Sequence, residues 1–233
     1  MSLAELRSDA RHLGMSRALV RSAYYRVNRM CGLRVYQYMT LHPEDVSREL
    51  LERDVRYECR ILEANDVRDL ARDRENGLAT PWLANVLAKG DVCFGILDGS
   101  VLAGFGWYTN LPCTVLGEVT VSFDRRYLYM YGGYTQPSYR GENLHGIGLA
   151  RACMALCARG YPAIVTLAER VNFASLKSSH RVGFRDCGIA VAVGSGERIR
   201  TWQTRTPAQY ALRVASSGTV KHGRKADATR IAP

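Results

Sequence analysis

Nowhere does the sequence hold the roughly 20 consecutive apolar residues that a membrane-spanning helix needs, so no membrane span is expected. The first dozen residues mix Glu5, Arg7, Asp9 and Arg11 and lack the apolar run of a signal peptide, which points to a cytoplasmic protein. The seven cysteines are odd in number, scattered and mostly set among apolar neighbours; this argues against a disulfide framework and for reduced thiols. Cys153 and Cys157 fall one helical turn apart, but two thiols make a poor metal site and none of the five histidines stands at ligand spacing from them, so no metal is expected. The chain also lacks repeats, low-complexity stretches and any Ser-His-Asp or Cys-His pattern.

What is present is positive charge: 32 Lys and Arg against 22 Asp and Glu give a net +10. Clustered basic side chains would suggest nucleic acid or an anionic surface. Here the arginines are spread along the chain, and only Lys221, His222, Arg224 and Lys225 form a local run. The balance reads as a preference for anionic ligands, with nucleic acid not expected as a partner and a homodimer left open. At 233 residues the chain can bury a core of its own.

The pattern divides the chain into an N-terminal helix and strand arm over 1–54, a main domain over 55–205 and a C-terminal segment over 206–233 with a basic, disordered tail. Residues 16–30 put Leu19, Val20, Ala23, Tyr24 and Val27 at helical spacing between arginines, a helix that packs on its own domain or touches a membrane surface. Residues 33–41 read as a strand closed by His42-Pro43-Glu44-Asp45. From about residue 55 the order becomes strand, helix, strands, helix, strand, helix, which predicts an α/β or α+β mixed central sheet flanked by helices on both faces. The first strand is 57–62, followed by a helix capped by Asn65 or Asp66, and a short helix over 82–88 stops at Gly90. A hairpin turns at Asp98-Gly99-Ser100. Alternation over 115–123 and 126–135 predicts a second hairpin that pairs Val121 with Leu128 and Val119 with Met130. On its other face Glu118 meets Tyr131 and Thr120 meets Tyr129. Gly132-Gly133 then breaks the alternation, as a bulge does.

After that break the sequence runs Thr135-Gln136-Pro137-Ser138-Tyr139-Arg140-Gly141-Glu142-Asn143-Leu144-His145-Gly146-Ile147-Gly148 and enters an apolar helix. A strand that passes through a glycine loop into a helix start presents main-chain N–H groups at the positive end of the helix dipole. With Arg140 added, this is a site for an anion, and a pyrophosphate suits it. After the next strand come Asn172, Ser175, Gly183 and Phe184.

In these two stretches the chain resembles the GNAT family of acyl-CoA-dependent N-acyltransferases. Pro137-Ser138-Tyr139-Arg140-Gly141-Glu142-Asn143-Leu144 matches the family's Pro-x-Tyr-Arg-Gly-x-Gly-Leu/Ile cofactor motif, and Asn172-Phe173-Ala174-Ser175 to Val182-Gly183-Phe184 matches its Asn-x-x-Ala/Ser to Gly-Phe motif. The resemblance covers residues 55–205. It implies a sheet splayed between the family's fourth and fifth strands, with the pantetheine arm of acetyl-CoA or another acyl-CoA in the gap. It implies cofactor contacts from Tyr134, Thr135, Arg140, Gly141, Glu142, Asn143, Leu144, His145, Gly146, Asn172 and Ser175. The acceptor, a small-molecule primary amine such as an amino sugar or amino acid, then attacks the thioester directly, through a tetrahedral intermediate polarised by main-chain amides.

Asn143 stands where the family usually has glycine, and His145 where it has glycine or alanine. Ser179 stands where many members carry a tyrosine that protonates the leaving thiolate. With serine a poor acid, that proton comes from water or from a nearby tyrosine such as Tyr131, or the thiolate leaves unassisted. Glu118, on the polar face beside the tyrosines, is the candidate general base, with a solvated edge-strand glutamate as the alternative. Two other readings remain: a degenerate domain of this fold that binds a nucleotide or nucleic acid, and an aminoacyl transferase that uses charged tRNA.

Overall fold

The computed structural model describes residues 14–53, 56–79, 81–115 and 119–217. Glu118 and the basic run 221–225 lie outside the described residues. Helix α1 (Met15–Cys31) ends at Gly32, whose left-handed backbone closes it. It leads into β1 (Arg34–Leu41), the 3-10 turn Pro43–Asp45 and a short α2 (Arg48–Glu52). Next come β2 (Glu58–Leu62), α3 (Ala64–Leu70), α4 (Leu83–Ala88) and the hairpin of β3 (Val92–Asp98) and β4 (Val101–Thr109). The remaining elements are β5 (Cys113–Val115), β6 (Val119–Ser122), β7 (Leu128–Thr135), α5 (Leu144–Cys157), β8 (Ile164–Glu169), α6 (Phe173–Val182), β9 (Arg185–Val193), β10 (Arg200–Gln203) and β11 (Arg213–Ser216).

Eight strands form one mixed sheet in the order β10-β9-β1-β8-β7-β4-β3-β2, in which β7 and β8 run parallel and the other neighbours are antiparallel. This is the expected mixed α/β sheet, with elements packed on both faces. One face carries the core of Met39, Leu41, Leu128 and Ile164 under the α5 residues Ile147, Ala150 and Cys153. The other carries Tyr36, Tyr38, Tyr129 and Val165 under a separate three-stranded sheet, β11-β6-β5. At the β2 end, Trp107 and Phe105 pack with Val67 of α3 and Val86 of α4.

Four expectations are corrected. The strand assigned to an N-terminal arm is interior to the sheet: β1 pairs with β8 on one side and β9 on the other. The hairpin joining 115–123 to 126–135 does not form. β6 pairs instead with β5 and β11, and β7 pairs with β4 and β8, so Thr120 does not face Tyr129. Alternation fixed which face of β6 is apolar; Val119 and Val121 turn toward the tyrosine face of the large sheet, a packing that satisfies the same pattern. The cap of α3 is Glu63, which forms a capping box with Asp66 at the third helical position. In α1, Leu19, Val20 and Val27 point outward and are exposed, and the buried positions are Ala18 and Ser22.

Candidate functional site

The parallel ladder between β7 and β8 lasts three residues, Leu128–Met130 against Ile164–Thr166, and is closed by a bond from Thr166 Oγ1 to the Met130 carbonyl at 3.1 Å. Beyond it the strands part. β8 continues along β1 as far as the pair Tyr36 and Glu169, while β7 stays with β4. The β4–β7 ladder shifts register between Phe105 and Trp107, so that Gly106 alone lies opposite Gly132-Gly133. This is the bulge, with Gly132 at φ +61°, a backbone that side chains rarely adopt. Gly133 serves a different need, since a Cβ there would stand 2.9 Å from the His145 ring.

The gap opens into a cavity of about 970 Å³. Among the expected site residues, Tyr131, Tyr134, Thr135, Arg140, His145, Asn172, Ser175 and Ser179 all line it. Gly141, Glu142, Asn143, Leu144 and Gly146 are not among its lining residues. Glu142 is turned aside, its carboxylate accepting the Tyr57 hydroxyl, and Leu144 is buried in the core. Their contribution is therefore to the main chain and to the set of the loop. Tyr139 donates to Asp98 Oδ2 at 3.2 Å, and the Tyr139 and Tyr57 rings meet edge to face, so the loop is pinned to the end of β3 and to the residue before β2.

The loop reaches the helix through two left-handed residues, Gly141 at φ +95° and Asn143 at φ +61°. Asparagine tolerates this region better than other side chains, which accounts for its presence at this left-handed step. Asn143 is the helix cap by position, and its Nδ2 is buried without a partner among the described residues. The first N–H with an acceptor inside α5 is that of Ile147, bonded to the Asn143 carbonyl at 3.1 Å. The N–H groups of Leu144, His145 and Gly146 precede it and have no acceptor within the helix. Burial holds the His145 imidazole below its ordinary value, so it is neutral here.

The second motif has a local explanation. Asn172 caps α6 by accepting the Ser175 N–H at 3.2 Å. Gly183 ends that helix at φ +119°, pressed so close to the Asp45 carbonyl that a Cβ could not fit. Phe184 is then set into the core at the cavity wall.

On the opposite face of the gap the wall is formed by Tyr36, Cys113, Tyr129, Tyr131 and Glu169. Glu169 is the only acidic side chain among the described lining residues, and its Oε1 accepts the Tyr24 hydroxyl at 2.8 Å. The same hydroxyl accepts the Val35 N–H at 3.0 Å, which ties α1 to the site. Burial, and then its bond to Asp91 Oδ2 at 2.6 Å, hold the Tyr131 phenol well above its ordinary value, so it stays protonated. The Cys113 thiol is pushed up to about 11, mainly by burial, and is no nucleophile at neutral pH. Glu169 and Asp91 were not found by motif reasoning. Each becomes visible only when distant strands are paired, and no local pattern marks either.

A scan against protein-family models gives no match, and a search of curated proteins returns none. Among solved structures, the chain is similar to an acetyltransferase from the GNAT family of Colwellia psychrerythraea, at 16% identity and a TM-score of 0.47 over 75% of this chain and 57% of that one. It is similar to a GCN5-related N-acetyltransferase from Sphaerobacter thermophilus, at 10% identity and 0.48 over 78% and 56%. A functionally unknown conserved protein from Staphylococcus epidermidis aligns at 8% identity and 0.48 over 70% and 62%. The chain thus spans about three fifths of the length of these structures. Such scores equate no residue here with one of theirs, and the functional reading rests on this chain's own residues.

Proposed function

We propose that the protein is a GNAT-type N-acyltransferase that moves an acetyl or longer acyl group from acyl-CoA to a primary amine. The observation that carries this reading is the parting of β7 and β8 beside a helix start with free N–H groups and Arg140. The Leu144, His145 and Gly146 amides and the Arg140 guanidinium would hold the diphosphate of the cofactor. A neutral His145 adds no charge there but fills the wall against Gly133. The gap past Gly132-Gly133 suits an extended pantetheine arm, whose thioester would lie near the bulge.

The amine would enter from the Glu169 face. Its nitrogen bonds to the acyl carbonyl carbon, the C–S bond breaks, and the sulfur leaves as thiolate with the electron pair. The Glu169 carboxylate holds the incoming ammonium and takes one proton from it before attack, in the role expected of Glu118, and the adduct nitrogen loses its second proton to water as the amide forms. Tyr131 stands at the same wall, but its proton is held by Asp91 and burial makes it a weaker acid than an ordinary phenol, so, with Ser179 also a poor donor, the leaving thiolate takes its proton from water. No protein nucleophile takes part. The acceptor is proposed to be a small molecule such as an amino sugar or amino acid, met in the cytoplasm.

Isothermal titration with acetyl-CoA, followed by thiol release across an amine library, tests this. Micromolar binding and amine-dependent release of coenzyme A are expected. Absence of binding to any acyl-CoA, with salt-steep affinity for RNA instead, would overturn it.

A further inference from the structure

Helix α1 is turned the opposite way from an ordinary surface helix. Its contacts with the body are small or polar: Ala18 and Ser22 are buried, Tyr24 bonds Glu169 and Val35, and Asn28 Nδ2 donates to the Leu33 carbonyl at 2.6 Å. Its large apolar side chains face away. Met15, Leu19, Val20, Val27 and Met30 are exposed by 62, 53, 57, 41 and 86%. At about 100° per residue they fall within an arc of about 140°, which Ala23 also shares and which only Ser16 and Arg26 interrupt with polar groups. An apolar strip of this kind is costly in water unless something covers it.

The charges around the strip narrow the partner. Helix α1 contains Arg17, Arg21, Arg26 and Arg29 and no acidic residue. At its C-terminal end is a cavity of about 420 Å³ lined by Arg29, Arg34 and Arg198 with the backbone of Gly32 and Gly194, and no acidic residue is among its described lining residues. A second copy of the chain would bring like charges together across the strip, with no acid in the helix to pair them. Nucleic acid would meet the arginines but leave the apolar arc in water. A bilayer with anionic headgroups satisfies both, because an interfacial helix sinks its apolar arc below the phosphates and leaves arginines at their level.

We propose that α1 docks the protein, apolar arc inward, on an anionic lipid surface, with the arginine-lined cavity beside Met30 taking a lipid phosphate. This surface is separate from the acyl-transfer gap, and its test does not depend on that reading. The full chain is sedimented with phosphatidylcholine vesicles and with vesicles containing about 30% phosphatidylglycerol. Partition onto the anionic vesicles at least about tenfold above the neutral ones, falling with added salt, is expected. Leu19→Asp with Val27→Asp, both at exposed positions, lowers that partition about tenfold or more while the circular dichroism spectrum stays unchanged. Arg29→Glu removes the preference for anionic lipid.

The proposal fails if neither vesicle is bound, or if the double aspartate variant binds as well as the parent, which would reduce the contact to charge alone. It also fails if gel filtration shows a dimer that the double aspartate variant dissociates, since a second copy then covers the strip. Displacement from vesicles by about 10 mM inorganic phosphate, against no effect of equal ionic strength of chloride, would assign the cavity to a free anion and overturn the lipid phosphate.

Discussion

On the α5 face of the splayed sheet a single stretch of chain, Gly132 to Ile147, supplies the bulge, the loop and the helix start, whereas the opposite face is gathered from Tyr36, Asp91, Cys113, Tyr131 and Glu169 on five separate segments. The first face presents main-chain N–H groups whose direction is set by backbone geometry. The second presents side chains held by one another, Glu169 by Tyr24 and Tyr131 by Asp91. The contrast teaches that the anion side is specified locally, by backbone geometry with one guanidinium added, while the carboxylate side depends on tertiary pairing and on single groups.

The sharpest way to break that contrast is to remove the carboxylate. Glu169→Gln should lower kcat/KM for the amine by about a hundredfold or more, the range of a lost acid-base group, and leave acetyl-CoA affinity within about twofold. Equal losses for both substrates, measured by steady-state kinetics and titration, would merge the two faces into one. Arg140→Ala should do the reverse, weakening acetyl-CoA about tenfold, as loss of a charge-assisted bond does, with the KM for amine unchanged.

Smaller effects test the loop geometry. Asn143→Val places a β-branched residue at φ +61° and should cost about 1–2 kcal/mol in denaturant unfolding, while Asn143→Gly should change stability by only a few tenths of a kcal/mol. A Val variant as stable as the parent would show that the left-handed step is not required. The smallest effect concerns His145. Its pKa is depressed in the fold by burial, so the unfolded chain takes up a proton first as the pH falls. Stability should be intact above about pH 6.5 and decline below it, and His145→Gln should remove that part of the slope.

The locally coded side was legible in the sequence. The broken alternation at Gly132-Gly133 marks the bulge, and the loop runs through Asn143 into a helix as the pattern has it. The other side was not, because strand partners are non-local. Val119 and Val121 give the same alternation whether β6 lies beside β7 or, as found, beside β5 and β11. For the same reason β1 reads as part of an arm, and its insertion between β8 and β9, which brings Tyr36 beside Glu169, follows only from the three-dimensional pairing. Outward apolar residues on α1 likewise give the periodicity of inward ones, since helical spacing defines a stripe without saying what it faces.

A crystal structure of the protein soaked with coenzyme A tests the central claim most directly. The account predicts the diphosphate on the Leu144 to Gly146 amides and Arg140, with the pantetheine arm passing between β7 and β8 beside Gly132-Gly133. Diphosphate density at any other place, or an arm that runs outside the gap, would contradict it.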